Sequence, residues 1–114
     1  MRPLFIKETA YSYSNSEIAR ELGSRIKNLR LSSCFSQSEF AKLSGVSLST
    51  LRRVESGHML EVSFGNLLQI LRAGGMLDGT AGLVEEAPLH PALHQDSNKR
   101  AYASSKMRER YEKQ

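Results

Sequence analysis

Arg52 and Arg53 stand side by side in the run Ser47, Leu48, Ser49, Thr50, Leu51, Arg52, Arg53, Val54. Guanidinium forks and small hydroxyls in that arrangement suit one kind of chemistry, the reading of base-pair edges. An arginine matches the paired acceptors of guanine in the major groove, and serine or threonine bonds a base edge of either polarity. Such chemistry needs the side chains on one exposed side of a rod. Leu51 and Val54 recur at i and i+3 and mark the inward side of a helix, which leaves Leu48, Ser49, Arg52 and Arg53 outward. Ser47 or Ser49 can cap that helix.

A first helix must hold the second in place. Gln37 to Leu43 puts Phe40, Ala41 and Leu43 at spacings that bury one face. Gly45 follows where a helix ends with positive φ, a backbone state glycine adopts without steric cost. Val46 then plugs the turn.

The residues Gln37, Glu39, Phe40, Ala41, Gly45, Val46, Ser47, Leu51, Glu55 and Gly57 fall on the loose pattern Q-x-E-[LFV]-A-x-x-x-G-[VI]-S-x-x-x-[LI]-x-x-x-E-x-G. In this the segment resembles the lambda-repressor-like helix-turn-helix family, also called the XRE or Cro type. The likeness runs from about Ile18 to Leu83 and implies an all-α, compact five-helix DNA-binding domain. By position it makes Ser47, Leu48 and Ser49 the base-contacting tip of the third helix. Gln37 becomes a phosphate ligand at the start of the second helix, and Thr50, Gly57 and His58 become contacts to the DNA backbone. Arg52 and Arg53 lie a turn further on, one expected at a guanine and the other at a phosphate. Where such sequences often carry Pro-Ser before the fourth helix, this one has Val62-Ser63; Ser63 can still cap.

The resemblance implies a sequence-specific repressor that binds double-stranded operator DNA as a homodimer, with reading helices about 34 Å apart. A weaker likeness to HipB-like antitoxins rests on Leu77-Asp78-Gly79, the surrounding apolar spacing and a proline linker. It implies an autoregulating antitoxin whose partner is a HipA-type kinase toxin. A phage or stand-alone XRE-type regulator without a toxin is the alternative.

The net charge of +4 on 114 residues is unevenly spread. Arg20, Arg25, Lys27, Arg30, Lys42, Arg52 and Arg53 fall within the first three helices. Asp78, Glu85, Glu86 and Asp96 form an acidic stretch, and Lys99 to Lys113 turns basic again. A basic helical domain fits a polyanion, because each neutralised phosphate releases condensed counterions. The lone cysteine, Cys34, allows no internal disulfide and is read as a partly buried thiol in the turn after the first helix. Glu55 suits a helix-surface pair with Arg52 or a local fold contact better than acid catalysis. His90 and His94 are separated by Pro91, and His58 is isolated, so no metal pair forms on a helix. No nucleophile elbow or phosphate loop occurs. No enzyme activity, metal or cofactor is expected.

Four parts follow along the chain. Residues 1–15 form an arm in which Leu4, Phe5, Ile6, Tyr11 and Tyr13 suggest a short strand or a segment laid on a partner. Residues 16–86 hold the helical domain. Ser14 with Glu17, or Ser16, starts its first helix, whose Ile18, Leu22, Ile26 and Leu29 make a core stripe that Gly23 interrupts. A fourth helix carries Phe64, Leu67, Leu68, Ile70 and Leu71 to Gly74-Gly75. A fifth is expected near Met76, weakened by Gly79 and Gly82. Its Met76, Leu77, Leu83 and Val84 either pack back in part on Leu68 and Leu71 or form a self-complementary dimer patch. Residues 87–96 read as a proline-stiffened linker, and 97–114 as a basic tail, disordered or helical on binding. With no membrane span and no signal-peptide core, a cytoplasmic protein is expected.

Overall fold

Serine hydroxyls open all four α-helices among residues 3–87, which the computed structural model of this chain describes. α1 spans Asn15–Ser32, α2 Gln37–Ser44, α3 Leu48–Glu55 and α4 Phe64–Ala73. Ser14, Ser36, Ser47 and Ser63 sit just before them in extended backbone, and each side chain accepts a first-turn backbone N–H, from Glu17, Glu39, Thr50 and Asn66. Such a cap typically contributes about 1 kcal/mol, because the first amides of a helix have no partner within it. Three 3-10 segments fill the gaps, Lys7–Ser12 in the arm, Met59–Glu61 and Leu77–Gly82.

Two of the caps are reciprocal boxes: Ser14 N–H donates to Glu17 Oε1 at 2.9 Å and Ser36 N–H to Glu39 Oε1 at 3.0 Å. The Ser36 backbone bond, helped by the Ser36 hydroxyl, holds the Glu39 carboxyl below its ordinary value of 4.5. A depressed acid stabilises the fold above its unfolded value and loses that contribution as pH falls through the folded one. Wild-type melting temperature is therefore expected to drop more steeply below pH 4.5 than that of Glu39→Gln, which keeps an acceptor without titrating. Parallel pH profiles of the two would refute the box.

The core lies where α1, α2, α3 and α4 meet. Leu51, Val54 and Ile70 are wholly enclosed, with Ala19, Ile26, Phe40, Ala41 and Met59 around them. The innermost line of α1 is Ala19, Gly23, Ile26 and Arg30, so the expected stripe holds only in part: Ile18, Leu22 and Leu29 flank that line, partly buried. Gly23 does more than interrupt. A Cβ there would lie 2.1 Å from the Val54 carbonyl oxygen, so α1 and the end of α3 touch backbone to backbone.

α2 buries Phe40, Ala41 and Ser44, while Leu43, expected inward, is 57% exposed. The helical repeat carries position 44, not 43, onto the side of Phe40. A serine is tolerated there because its hydroxyl donates to the Phe40 carbonyl at 2.7 Å.

No strand forms among the described residues. The arm instead turns through its 3-10 segment. Phe5 packs edge-on against Tyr13, and Arg25 stacks over the Phe5 ring while donating to the Phe5 carbonyl at 2.8 Å. Arg25 also pairs with Glu21 at 3.0 Å, which binds this cation to its own chain. Cys34 is exposed and has φ 62°, contrary to the expected half-buried thiol. The turn that closes α1 puts its N–H on the Leu31 carbonyl and that of Phe35 on the Arg30 carbonyl, and the left-handed residue between them turns its side chain away from the core. After α4, Gly75 (φ 72°) reverses the chain and Met76 packs on the core. The expected fifth helix is only the six-residue 3-10 turn, consistent with two glycines in it. The described residues up to Val84 form one compact unit. The basic tail and all but Ala87 of the linker lie outside the described residues.

Candidate nucleic-acid interface

The turn between α2 and α3 is built from local geometry. Gly45 has φ 73°, its N–H bonds the Lys42 carbonyl, and Val46 N–H bonds the Ala41 carbonyl at 3.1 Å. The last carbonyls of α2 are thereby satisfied, and Val46 enters the edge of the core. Ser47 then starts α3 in a new direction.

On α3, Leu51 and Val54 point fully inward while Ser49, Arg52, Arg53 and Ser56 are exposed. These four share one side, since 49, 52, 53 and 56 are separated by three or four residues. Neither arginine has an ion-pair partner among the described residues, so both charges are available to a ligand. Leu48 departs from the expectation of an outward side chain, being partly buried against the core. It precedes Leu51 by three residues and Glu55 by seven, which places it on the inward flank.

Glu55 anchors the opposite side of α3. Its carboxylate takes two bonds from Arg30, Nε to Oε2 at 2.7 Å and Nη2 to Oε1 at 3.0 Å. A third comes from Gln37 Nε2 at 3.1 Å, and Arg30 Nη1 donates to the Phe35 carbonyl at 2.7 Å. The side chains of Arg30 and Glu55 are 7% and 2% exposed. The hydrogen bonds that Arg30 donates to Glu55, reinforced by the carboxylate charge, raise the Arg30 pKa against the opposing effect of burial. Arg30, which the sequence groups with a basic face, is thus an internal cation joining α1 to α3. Glu55 therefore makes neither the expected helix-surface pair with Arg52 nor a local contact, but a buried pair with Arg30, 25 positions away.

The remaining expected contacts gather around this frame. Gln37 is the first residue of α2, half-buried, with its amide directed to Glu55. Ser47 and Ser49 are exposed and Thr50 is partly buried. After α3, Gly57 has φ 94° and passes over Arg20, whose Cα would be 3.4 Å from an added Cβ. His58 is exposed, its Nδ1 3.0 Å from the Ser56 hydroxyl and its N–H on the Arg53 carbonyl. Lys42 on α2 is also exposed. The dimer-patch residues divide: Met76 and Leu77 are partly buried, whereas Leu83 and Val84 are 64% and 77% exposed.

A short helix locked by its inner side to two others, with two unpaired cations and hydroxyls outward, defines a helix-turn-helix DNA-binding domain. Residues 26–77 match the Helix-turn-helix family, in its lambda-repressor-like (XRE) type. This makes it a DNA-binding transcription regulator. No curated protein gives a significant match. Among the described residues no helix is long and apolar enough to cross a membrane.

Proposed function

We propose that this protein represses transcription by binding a palindromic operator as a homodimer, each copy placing α3 in the major groove. The observation that carries this is the exposed, unpaired Arg52 and Arg53 on a helix whose opposite face is pinned by Leu51, Val54 and Glu55. In this reading Ser49 and one arginine meet base edges beside Ser47 at the helix tip, Leu48 lends only its exposed edge to a thymine methyl, and Gln37, Thr50, Gly57, His58 and the other arginine meet phosphates. Leu83 and Val84, with Met76 and Leu77 beneath, form the patch for the second copy. Leu83 borders an apolar groove of ≈ 300 Å³ shared with Leu22, Phe64, Leu67 and Leu71, and two such edges would cover one another.

The double variant Arg52→Ala, Arg53→Ala is expected to keep its melting temperature, since both side chains are exposed and unpaired. Operator affinity should fall by more than a single bidentate arginine contributes, about 1 to 3 kcal/mol. The slope of log affinity against log salt should shrink by about one for each phosphate no longer neutralised. Retardation of its own promoter fragment unchanged in the double variant would refute the assignment. Gln37→Ala should weaken binding evenly across sequences.

The finer role is that of an autoregulating antitoxin with a HipA-type kinase partner. What supports it is the Leu77-Asp78-Gly79 turn beside an exposed apolar edge, a surface suited to holding a protein. Co-purification from the native locus tests it: a kinase-like second chain that stays bound supports the antitoxin, and a lone dimer supports the stand-alone regulator.

A further inference from the structure

The hydroxyls at the tip of α3 are not independent. Ser47 Oγ accepts the Thr50 backbone N–H at 3.1 Å and donates its single proton to Thr50 Oγ1 at 2.8 Å. Ser49 Oγ lies 3.1 Å from the same Ser47 oxygen. A hydroxyl carries one proton. With the Ser47 proton directed to Thr50, the bond between Ser47 and Ser49 must use the proton of Ser49. Ser49 Oγ therefore turns only lone pairs outward, next to the donor-only forks of Arg52 and Arg53. Thr50 accepts from Ser47 and keeps its own proton for a neighbouring acceptor.

Resting on the DNA-binding reading above, we propose that Ser49 is a specificity-determining residue of fixed polarity. It accepts a hydrogen bond from the exocyclic amine of a base in the major groove, N4 of cytosine or N6 of adenine. Ser47 acts as a positioning residue, setting that polarity through its own hydroxyl. Serine is ordinarily indifferent to base-edge polarity, and here its neighbour removes the choice. The tip then offers one acceptor beside two strong donors, a pattern that discriminates the orientation of a base pair, since each pair carries its amine on one strand only.

The test starts from selection of the preferred half-site from random DNA by the full chain, repeated with Ser49→Ala. At the base pair where Ser49→Ala relaxes the preference, the amine-bearing base is replaced by its analogue lacking only that amine, purine for adenine or 2-pyrimidinone for cytosine. The two analogues separately identify which base supplies the donor. Wild type should lose roughly threefold to tenfold in affinity on this replacement, the weight of one net hydrogen bond, and Ser49→Ala should lose no more than the weakened base pair itself costs. Ser47→Gly, which still permits the helix start at little cost, should free the Ser49 proton and let the variant accept the reversed pair.

Equal losses for wild type and Ser49→Ala would overturn the inference, as would a Ser47→Gly variant with unaltered preference. Enrichment that is sequence-specific but indifferent to residue 49 overturns it while leaving the DNA-binding reading intact. A chain that enriches no sequence overturns both.

Discussion

Gly23→Ala is expected to cost about 3 kcal/mol or more, a loss larger than any exposed substitution in the domain should produce. The added methyl would sit 2.1 Å from the carbonyl oxygen of Val54 and 3.2 Å from its carbon. Backbone cannot rotate aside as a side chain can. That oxygen already accepts the Gly57 N–H at 3.2 Å, so moving it breaks the turn that ends α3. Overpacking of an ordinary core site costs typically about 1 to 3 kcal/mol, and a clash with fixed backbone belongs at or above the top of that range. For a domain of this size the melting temperature should fall by roughly 12 °C or more. Gly65→Ala is the control, because nothing lies within 4 Å of the Cβ it would add. It should leave stability unchanged or raise it by up to about 1 kcal/mol, alanine being the better helix former. Equal melting temperatures for Gly23→Ala and wild type would mean that α1 and α3 are not in backbone contact. Below its transition, Gly23→Ala should also bind DNA less well, since α3 can yield to the methyl only by shifting its reading side.

The elements legible in the sequence are those whose signals are local. Ser14 with Glu17 and Ser36 with Glu39 are spaced for a capping box, and both boxes form. Gly45 stands where only a residue at ease with positive φ can end α2, and it has φ 73°. Leu51 and Val54 define the inner side of α3 by their spacing alone, and both are fully enclosed. Long-range features leave weaker traces. Gly23 reads as a flaw in a helix until the backbone opposite it is known. Arg30 and Glu55 are 25 positions apart, and nothing near either residue indicates the other, so a buried pair looks like one surface cation and one surface acid. Leu43 and Leu48 depart from their expected sides for a related reason. In an eight-residue helix apolar type is a poor guide to facing, and small or polar residues with a local bond, such as Ser44, take inward positions. In the arm the apolar residues suggest a strand, whereas Thr9 and the Phe5, Tyr13 and Arg25 contacts hold a 3-10 turn.

Arg30→Met is the second substitution with a large expected effect, because it leaves the Glu55 carboxylate enclosed with only the Gln37 amide and no cation. Removing one partner of a buried pair typically costs about 3 to 5 kcal/mol, since the remaining charge has neither water nor counter-ion. Glu55→Leu should be costly for the mirror reason, stranding a guanidinium held by the Phe35 carbonyl alone. Arg30→Met combined with Glu55→Leu removes both charges and keeps apolar volume between α1 and α3, so it should recover most of either loss. Urea unfolding of the four proteins gives the coupling directly. If the double variant is as unstable as the sum of the singles, the pair is not the joint between these helices. The recovered double variant also separates stability from binding. It folds, but Gln37 has lost the carboxylate that fixes its amide at 3.1 Å, so operator affinity should stay below wild type by an amount close to that of Gln37→Ala. Full recovery of affinity along with stability would show that Glu55 supports the fold without orienting Gln37.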